Sequence, residues 1–337
     1  MAAAVLLFAH GLLIAGDHQL VQRERHSMGT MFRIVVSHPS VAAAEAAVDE
    51  AMAEILRLEA VMSHYRSDSD LSRLNREGGL GAVEVPANLF EVISEALEVS
   101  RLSNGAFDVT IAPLLRVWKA AHEAGRRPTA AEIDRAAACV GYAKVELSAP
   151  DRIRFRTPCV ELDLGGIGKG FAVDRALAIL EAAGIRDALV NAGGSTIAAR
   201  GAAPGYDGWP VELAGDVAGR RTLLLQNAAI SSSQQRGRPF PFAEGMFGEI
   251  IDPQQRAPTG TRRIVSVVTG SATRADALST ALLLMPIEEG TRRLARFPST
   301  SALWMSPDGA LEASHNASRL VMVGAGSNAT RSPRGRS

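Results

Sequence analysis

Apolar side chains recur every three to four residues between positions 41 and 62, at Val48, Met52, Ile55, Leu58 and Met62, and this spacing predicts an amphipathic helix. A second helix is predicted over residues 88–102, with Phe90, Ile93 and Leu97 on one face. Thr129 followed by Glu132 has the form of a capping box and opens a third. Further helical patterns cover 170–183 and 274–285. Short apolar runs of strand type occupy 31–36, 188–190, 211–213, 222–225, 264–269 and 320–323. Helical and strand patterns do not alternate regularly, so the expectation is an α+β fold and not a doubly wound parallel sheet. No repeat of fixed period and no linker divide the chain, and residues 201–208 (GAAPGYDG) read as a loop.

The first fifteen or so positions change this picture. Residues 2–16 are apolar apart from His10, a length that suits the apolar part of an export signal and is short for a membrane span, although the first Arg is Arg23. Residues 1–25 are therefore read as a separate N-terminal segment. An exported location, periplasmic or membrane-associated, is the expectation, and the cytoplasm is the alternative. The tail 325–337, rich in Gly, Ser and Arg, reads as disordered and leaves 26–324 as the folded domain. Thirty-six basic residues balance thirty-six acidic ones, so no net field favours nucleic acid. Cys139 and Cys159 lack the spacing of a zinc site; they read as two partly buried thiols, with a disulfide as the alternative.

Five segments carry candidate chemistry. In ELDLGGIGKGFAVDR (161–175) a strand-like run ends at Asp163, a glycine-rich turn follows, and a helix starts around Lys169. Glycines allow a ligand to approach the backbone, helix N-terminal amides attract phosphate, and the lysine adds a positive charge. A plain structural turn has the same appearance. In ADALSTALLL (275–284) Asp276 and Thr280 are four apart on a predicted helix, so their oxygens share a face. Magnesium is usually held by one or two protein oxygens with phosphates and water, and the alternative is an N-terminal helix Asp with a threonine bonded back to a carbonyl. In GAFDVTIAPLLRVW (105–118) Asp108 sits in an apolar stretch and needs a fixed partner, either backbone amides in a turn or a ligand. Tyr65, in MSHYRSDSDLSRLN (62–75), offers a flat face beside a polar loop, and EIIDP (249–253) reads as a strand ending in an Asp-Pro turn.

Together with Met28-Gly29-Thr30, LVNAGGSTIAARG (189–201) and AISSSQQR (229–236), these segments resemble, in order, the motifs of the ApbE family, the FAD:protein FMN transferases. The resemblance spans roughly residues 28–323 and implies an α+β fold with a central cleft that binds one FAD, with Mg2+ on its pyrophosphate. It implies flavin contacts at Met28, Tyr65, Ala106, Phe107, Asp108, Asp163, Lys169 and Ile251. It places magnesium ligands at Gly166 through its carbonyl, Asp276 and Thr280, with Ser279 where some members have an extra aspartate. The implied reaction moves FMN from FAD to a Thr or Ser hydroxyl of an acceptor flavoprotein subunit and releases AMP.

One departure touches the chemistry. Glu249 stands where the family carries a histidine that helps to deprotonate the acceptor hydroxyl, and residues 254–258 replace the turn that follows. A free glutamate titrates near about 4.3, against about 6.5 for histidine, so the base role falls to Glu249 in a weakened form unless burial raises its basicity. The alternatives are hydrolysis of FAD to FMN and AMP, and a flavin-binding relative without turnover.

Overall fold

The computed structural model describes residues 18–324 apart from 217–220, 236, 240–245 and 298. The export-signal reading of residues 2–16 and the disordered-tail reading of 325–337 lie outside the described residues.

Among the described residues, eight strands form one antiparallel sheet whose spatial order is the chain order. They are β1 (Gln19–Ser27), β2 (Thr30–His38), β3 (Asp187–Ala192), β4 (Thr196–Arg200), β5 (Ala228–Gln234), β6 (Ile264–Thr269), β7 (Ser301–Met305) and β8 (Leu311–Ala313). The helices are α1 (Val41–Met62), α2 (Asp70–Glu77), α3 (Ala87–Leu102), α4 (Ala112–Glu123), α5 (Ala130–Ala137), α6 (Gly168–Ala182), α7 (Ala272–Leu283) and α8 (Ile287–Leu294). The sheet begins at Gln19, ahead of the expected domain boundary at residue 26. Its edge strand β1 pairs with β2 across a two-residue turn in which Met28 (φ 48°) and Gly29 (φ 72°) are both left-handed, the conformation a type I′ hairpin requires. Glu59 of α1 fixes this turn by accepting from Ser27 Oγ (2.9 Å) and Met28 N (2.8 Å).

Helices α1, α6 and α7 cover one face of the sheet, where Phe32, Ile34, Val190, Val265 and Val267 join the main core. The other face packs Val35, Leu189, Ile197, Ile230 and Leu303 against Trp209, Val211, Leu223 and Leu225 of a small sheet formed by 209–212, 221–225 and 322–324. Cover on both sides explains why β2, β3 and β6 read as apolar runs instead of alternating ones. Each fully buried Phe or Ile contributes about 1.5–3 kcal/mol.

Two local contacts shape the neighbourhood of the cleft. A Cβ at Gly170 would lie 2.2 Å from the carbonyl oxygen of Ala272, so this glycine is dictated by the close crossing of α6 and α7. Cys139 and Cys159 are joined as a disulfide with a Cα–Cα separation of 5.2 Å, inside the usual range. The reading as two thiols is thereby corrected: the bridge ties the end of α5 to the segment that leads into Asp163.

Candidate active site

A cleft of about 1260 Å³ opens where the glycine turn, α4, the end of β5 and the middle of α7 meet. It exceeds the roughly 300–1,000 Å³ of a typical small-ligand pocket and has room for a dinucleotide.

Asp276 lies at its floor. Ten of the twelve residues of α7 are buried, so the helix lacks a polar face and its few oxygens are placed by packing. The Asp276 carboxylate accepts from Gly170 N (3.0 Å), Ser231 Oγ (3.1 Å) and Thr196 Oγ1 (3.3 Å). A carboxylate has about four lone-pair positions, so about one is left for the cleft. One turn on, Thr280 Oγ1 meets Ser233 Oγ at 3.1 Å, and a Cβ at Gly166 would sit 3.6 Å from it. Gly166, Asp276 and Thr280 thus converge from the glycine turn and α7. Ser279 is fully buried behind them, donating to the Asp276 carbonyl (2.9 Å) and bonded to Ser233 Oγ (2.7 Å).

The glycine turn is held from two sides. Asn75 of α2 brackets Leu162 by donating to its carbonyl (3.0 Å) and accepting its amide (2.8 Å). Asp163 Oδ1 accepts Gly165 N at 2.7 Å, and Asp163 Oδ2 lies 3.3 Å from His64 Nδ1. Lys169 Nζ donates to the Gly165 carbonyl at 3.1 Å, which keeps its ammonium over the turn at the start of α6.

Asp108 has the fixed partner its burial demands, and the partners belong to a turn. Its carboxylate accepts from Thr110 N (2.9 Å), Thr110 Oγ1 (2.7 Å) and Tyr142 N (2.9 Å). Burial pushes this carboxyl above the usual range, against the downward pull of those hydrogen bonds. Ala106 and Phe107 precede it in the cleft wall, with the Phe107 ring 3.1 Å from where a Gly166 Cβ would be. Tyr65 is 79% exposed over the opening, beside the His64 ring at 3.8 Å and with Lys119 Nζ 5.9 Å from its centroid.

Beside α4 the cleft is lined by the ribbon 251–252 paired with 257–258. Gln235 binds its start by donating to Ile250 O (3.1 Å) and accepting Ile250 N (3.1 Å), while Trp118 Nε1 donates to Arg256 O (2.9 Å). Ile251 is buried against Trp118 and Leu114. Glu249 lines the cleft and is exposed. Asp252 is occupied in the turn, where Oδ1 accepts Gln254 N (2.8 Å) and Gln255 N (3.1 Å).

Comparison with known proteins places this arrangement. The sequence profile described as the ApbE family matches residues 28–304. The chain belongs to the ApbE family. It is 28% identical over 306 residues to the FAD:protein FMN transferase of Treponema pallidum, covering 85% of this chain and 84% of that protein. It is 27% identical over 304 residues to that of Haemophilus influenzae, covering 85% and 87%. Among solved structures, the flavin transferase ApbE from Vibrio cholerae superposes with a TM-score of 0.79 at 25% identity, covering 90% of this chain and all of that one (100%). The ApbE protein from Thermotoga maritima gives 0.78 at 27% identity, with 89% and 98% covered.

Of the residues that the resemblance to the ApbE family assigns, Tyr65, Ala106, Phe107, Asp108, Asp163, Gly166, Lys169, Glu249, Ile251, Asp276 and Thr280 line one cleft. Met28 does not line it; its backbone makes the hairpin turn and its side chain packs against the main core. Ser279 sits behind Asp276 and not in the lining. The structure also adds residues that sequence reasoning missed. Asp174 of α6 accepts from Ser271 Oγ (2.8 Å), Ala272 N (2.8 Å), Thr273 N (2.9 Å) and Thr273 Oγ1 (2.6 Å), and so anchors the first turn of the helix that carries Asp276. An aspartate one turn inside a predicted helix is usually a solvated face, and only the α6–α7 crossing shows what it holds.

Proposed function

We propose that this chain transfers the FMN half of FAD to a Thr or Ser hydroxyl of an acceptor protein, releasing AMP, with Mg2+ required. The observation that carries the reading is the convergence of Asp276, Thr280 and Gly166 on the glycine turn, in a cleft large enough for FAD. All three offer oxygen donors, the Asp276 carboxylate retains a lone pair, and few protein ligands suffice when phosphates complete the shell, so the residues present fit Mg2+. Bound there, the ion would neutralise pyrophosphate charge and so ease departure of AMP.

The rest is the work of the chain. Lys169 and the amides at the start of α6 attract the phosphates. Tyr65 and Phe107 offer flat faces to the rings. The acceptor oxygen forms a bond to the FMN phosphorus as the bond to the AMP oxygen breaks, and the hydroxyl proton passes to a base on the cleft wall, where Glu249 faces the opening. Incubation with FAD, MgCl2 and a threonine-bearing acceptor peptide tests the reading: flavin that stays on the peptide after denaturation supports it, whereas free FMN or unchanged FAD does not.

A further inference from the structure

Glu249 is not the only proton acceptor in the cleft. We infer that His64, braced by Asp163, is the principal general base that takes the proton of the incoming hydroxyl; the inference rests on the transfer reading above. His64 immediately precedes Tyr65 and lines the same cleft as Gly166, Lys169 and Thr280. Its Nδ1 faces Asp163 Oδ2 at 3.3 Å, while Asp163 Oδ1 is committed to Gly165 N at 2.7 Å. With Asp163 Oδ2 at 3.3 Å from Nδ1, a neutral ring that keeps its hydrogen on Nδ1 would leave the lone pair on Nε2. Among the described residues no hydrogen bond engages Nε2. The side chain is 35% exposed and Asp163 only 14%, so one end of the ring is anchored in the wall and the other meets the cleft.

A short series of contacts links the ring to the proposed metal site. His64 bears on Asp163, Asp163 on Gly165, and the next residue, Gly166, faces Thr280. A base held by a third group and presented to a nucleophile site is the arrangement hydroxyl activation requires. The balance is simple: the acceptor O–H bond breaks, the proton goes to His64 Nε2, the P–O bond to the acceptor forms, and AMP leaves with the electron pair of the broken P–O bond. The Asp163 carboxylate steadies the imidazolium, which then returns its proton to water. Glu249, also exposed in the cleft lining, carries an intrinsically weaker base and contributes less.

The test compares the full-length parent with His64→Asn, His64→Ala and Glu249→Gln. AMP release from FAD is followed by chromatography with MgCl2, with and without a threonine-bearing peptide, and FAD binding by flavin fluorescence. Asparagine keeps a donor at the position of Nδ1 and removes the basic nitrogen. His64→Asn is therefore expected to lower kcat by about a hundredfold or more while FAD binding holds. Glu249→Gln should lose less, and added imidazole should restore part of the rate to His64→Ala. A His64→Asn variant that turns over like an active parent would show that His64 only braces Asp163, and loss of rate in His64→Ala without imidazole rescue also overturns the assignment. A parent that releases no AMP with or without peptide overturns the transfer reading itself, and the base assignment with it.

Discussion

Removal of the Asp174 carboxylate should loosen the helix on which the proposed metal site depends. Asp174→Ala deletes the acceptor of four hydrogen bonds, two of them from the backbone amides of Ala272 and Thr273, which are 0% and 6% exposed. Water cannot readily replace the lost partner at such positions. A buried donor left unsatisfied costs about 1–3 kcal/mol, and hydrogen bonds to a charged group are worth about 1.5–3 kcal/mol. The terms are not additive, and the hydroxyls of Ser271 and Thr273 can turn elsewhere, so the net loss is set at about 4 kcal/mol. At roughly 2 °C per kcal/mol for a chain of this size, the melting temperature should fall by about 8 °C. Asp174→Asn keeps one acceptor oxygen and should lose about half as much. Calorimetry and urea titration measure the first effect, and titration with Mn2+ in the presence of FAD measures the second, a weakened cation affinity from the displaced Asp276. An Asp174→Ala protein within about 0.5 kcal/mol of the parent would refute the reasoning, since that is the range of an ordinary surface substitution.

Asp276→Asn keeps the shape of the side chain but not its charge, and should weaken Mn2+ binding by more than about tenfold in the presence of FAD, as followed by titration calorimetry. Tyr65→Ala should weaken FAD binding by about 0.5–1.5 kcal/mol and Tyr65→Phe should nearly preserve it; equal affinities would make Tyr65 a loop residue only. Because burial raises the folded-state value of Asp108 above 3.8, its contribution to stability is present below that pH and is lost as pH rises through the raised value. Thermal melts across this range should therefore show a shallower slope in Asp108→Asn than in the parent. Cys139→Ser opens a loop of sequence separation 20 and should cost about 3 kcal/mol by loop closure, an effect that a reductant reproduces on the parent and not on the variant.

What could be read in advance follows the physics of each element. The helix over 41–62 was legible to the residue because one face is buried and the other wet, and the capping box at Thr129 is formed by both of its hydrogen bonds. β1, with the sequence QLVQRERHS, escaped notice because an exposed edge strand carries no apolar alternation. β5 escaped because its serines are buried for what they hold: Ser231 binds Asp276, and Ser233 binds Ser279 and Thr280. The start of α4 was masked by Pro113, which fits the first turn of a helix yet reads as a breaker. The site residues and the roles expected of them came from ordered motifs, and the fold adds the partners that hold them. Asp108 belongs to a turn, Met28 to a hairpin, and His64 gains significance only when the fold sets it against Asp163.

The most direct test of transfer is the fate of the flavin in a single incubation of the full-length chain with FAD, MgCl2 and a threonine-bearing acceptor, read by mass spectrometry of the acceptor and chromatography of the nucleotides. The account predicts an acceptor heavier by one FMN group on its threonine, with AMP released in equal amount and no reaction when Mg2+ is chelated. Unmodified acceptor beside intact FAD, or beside free FMN and AMP, would contradict it.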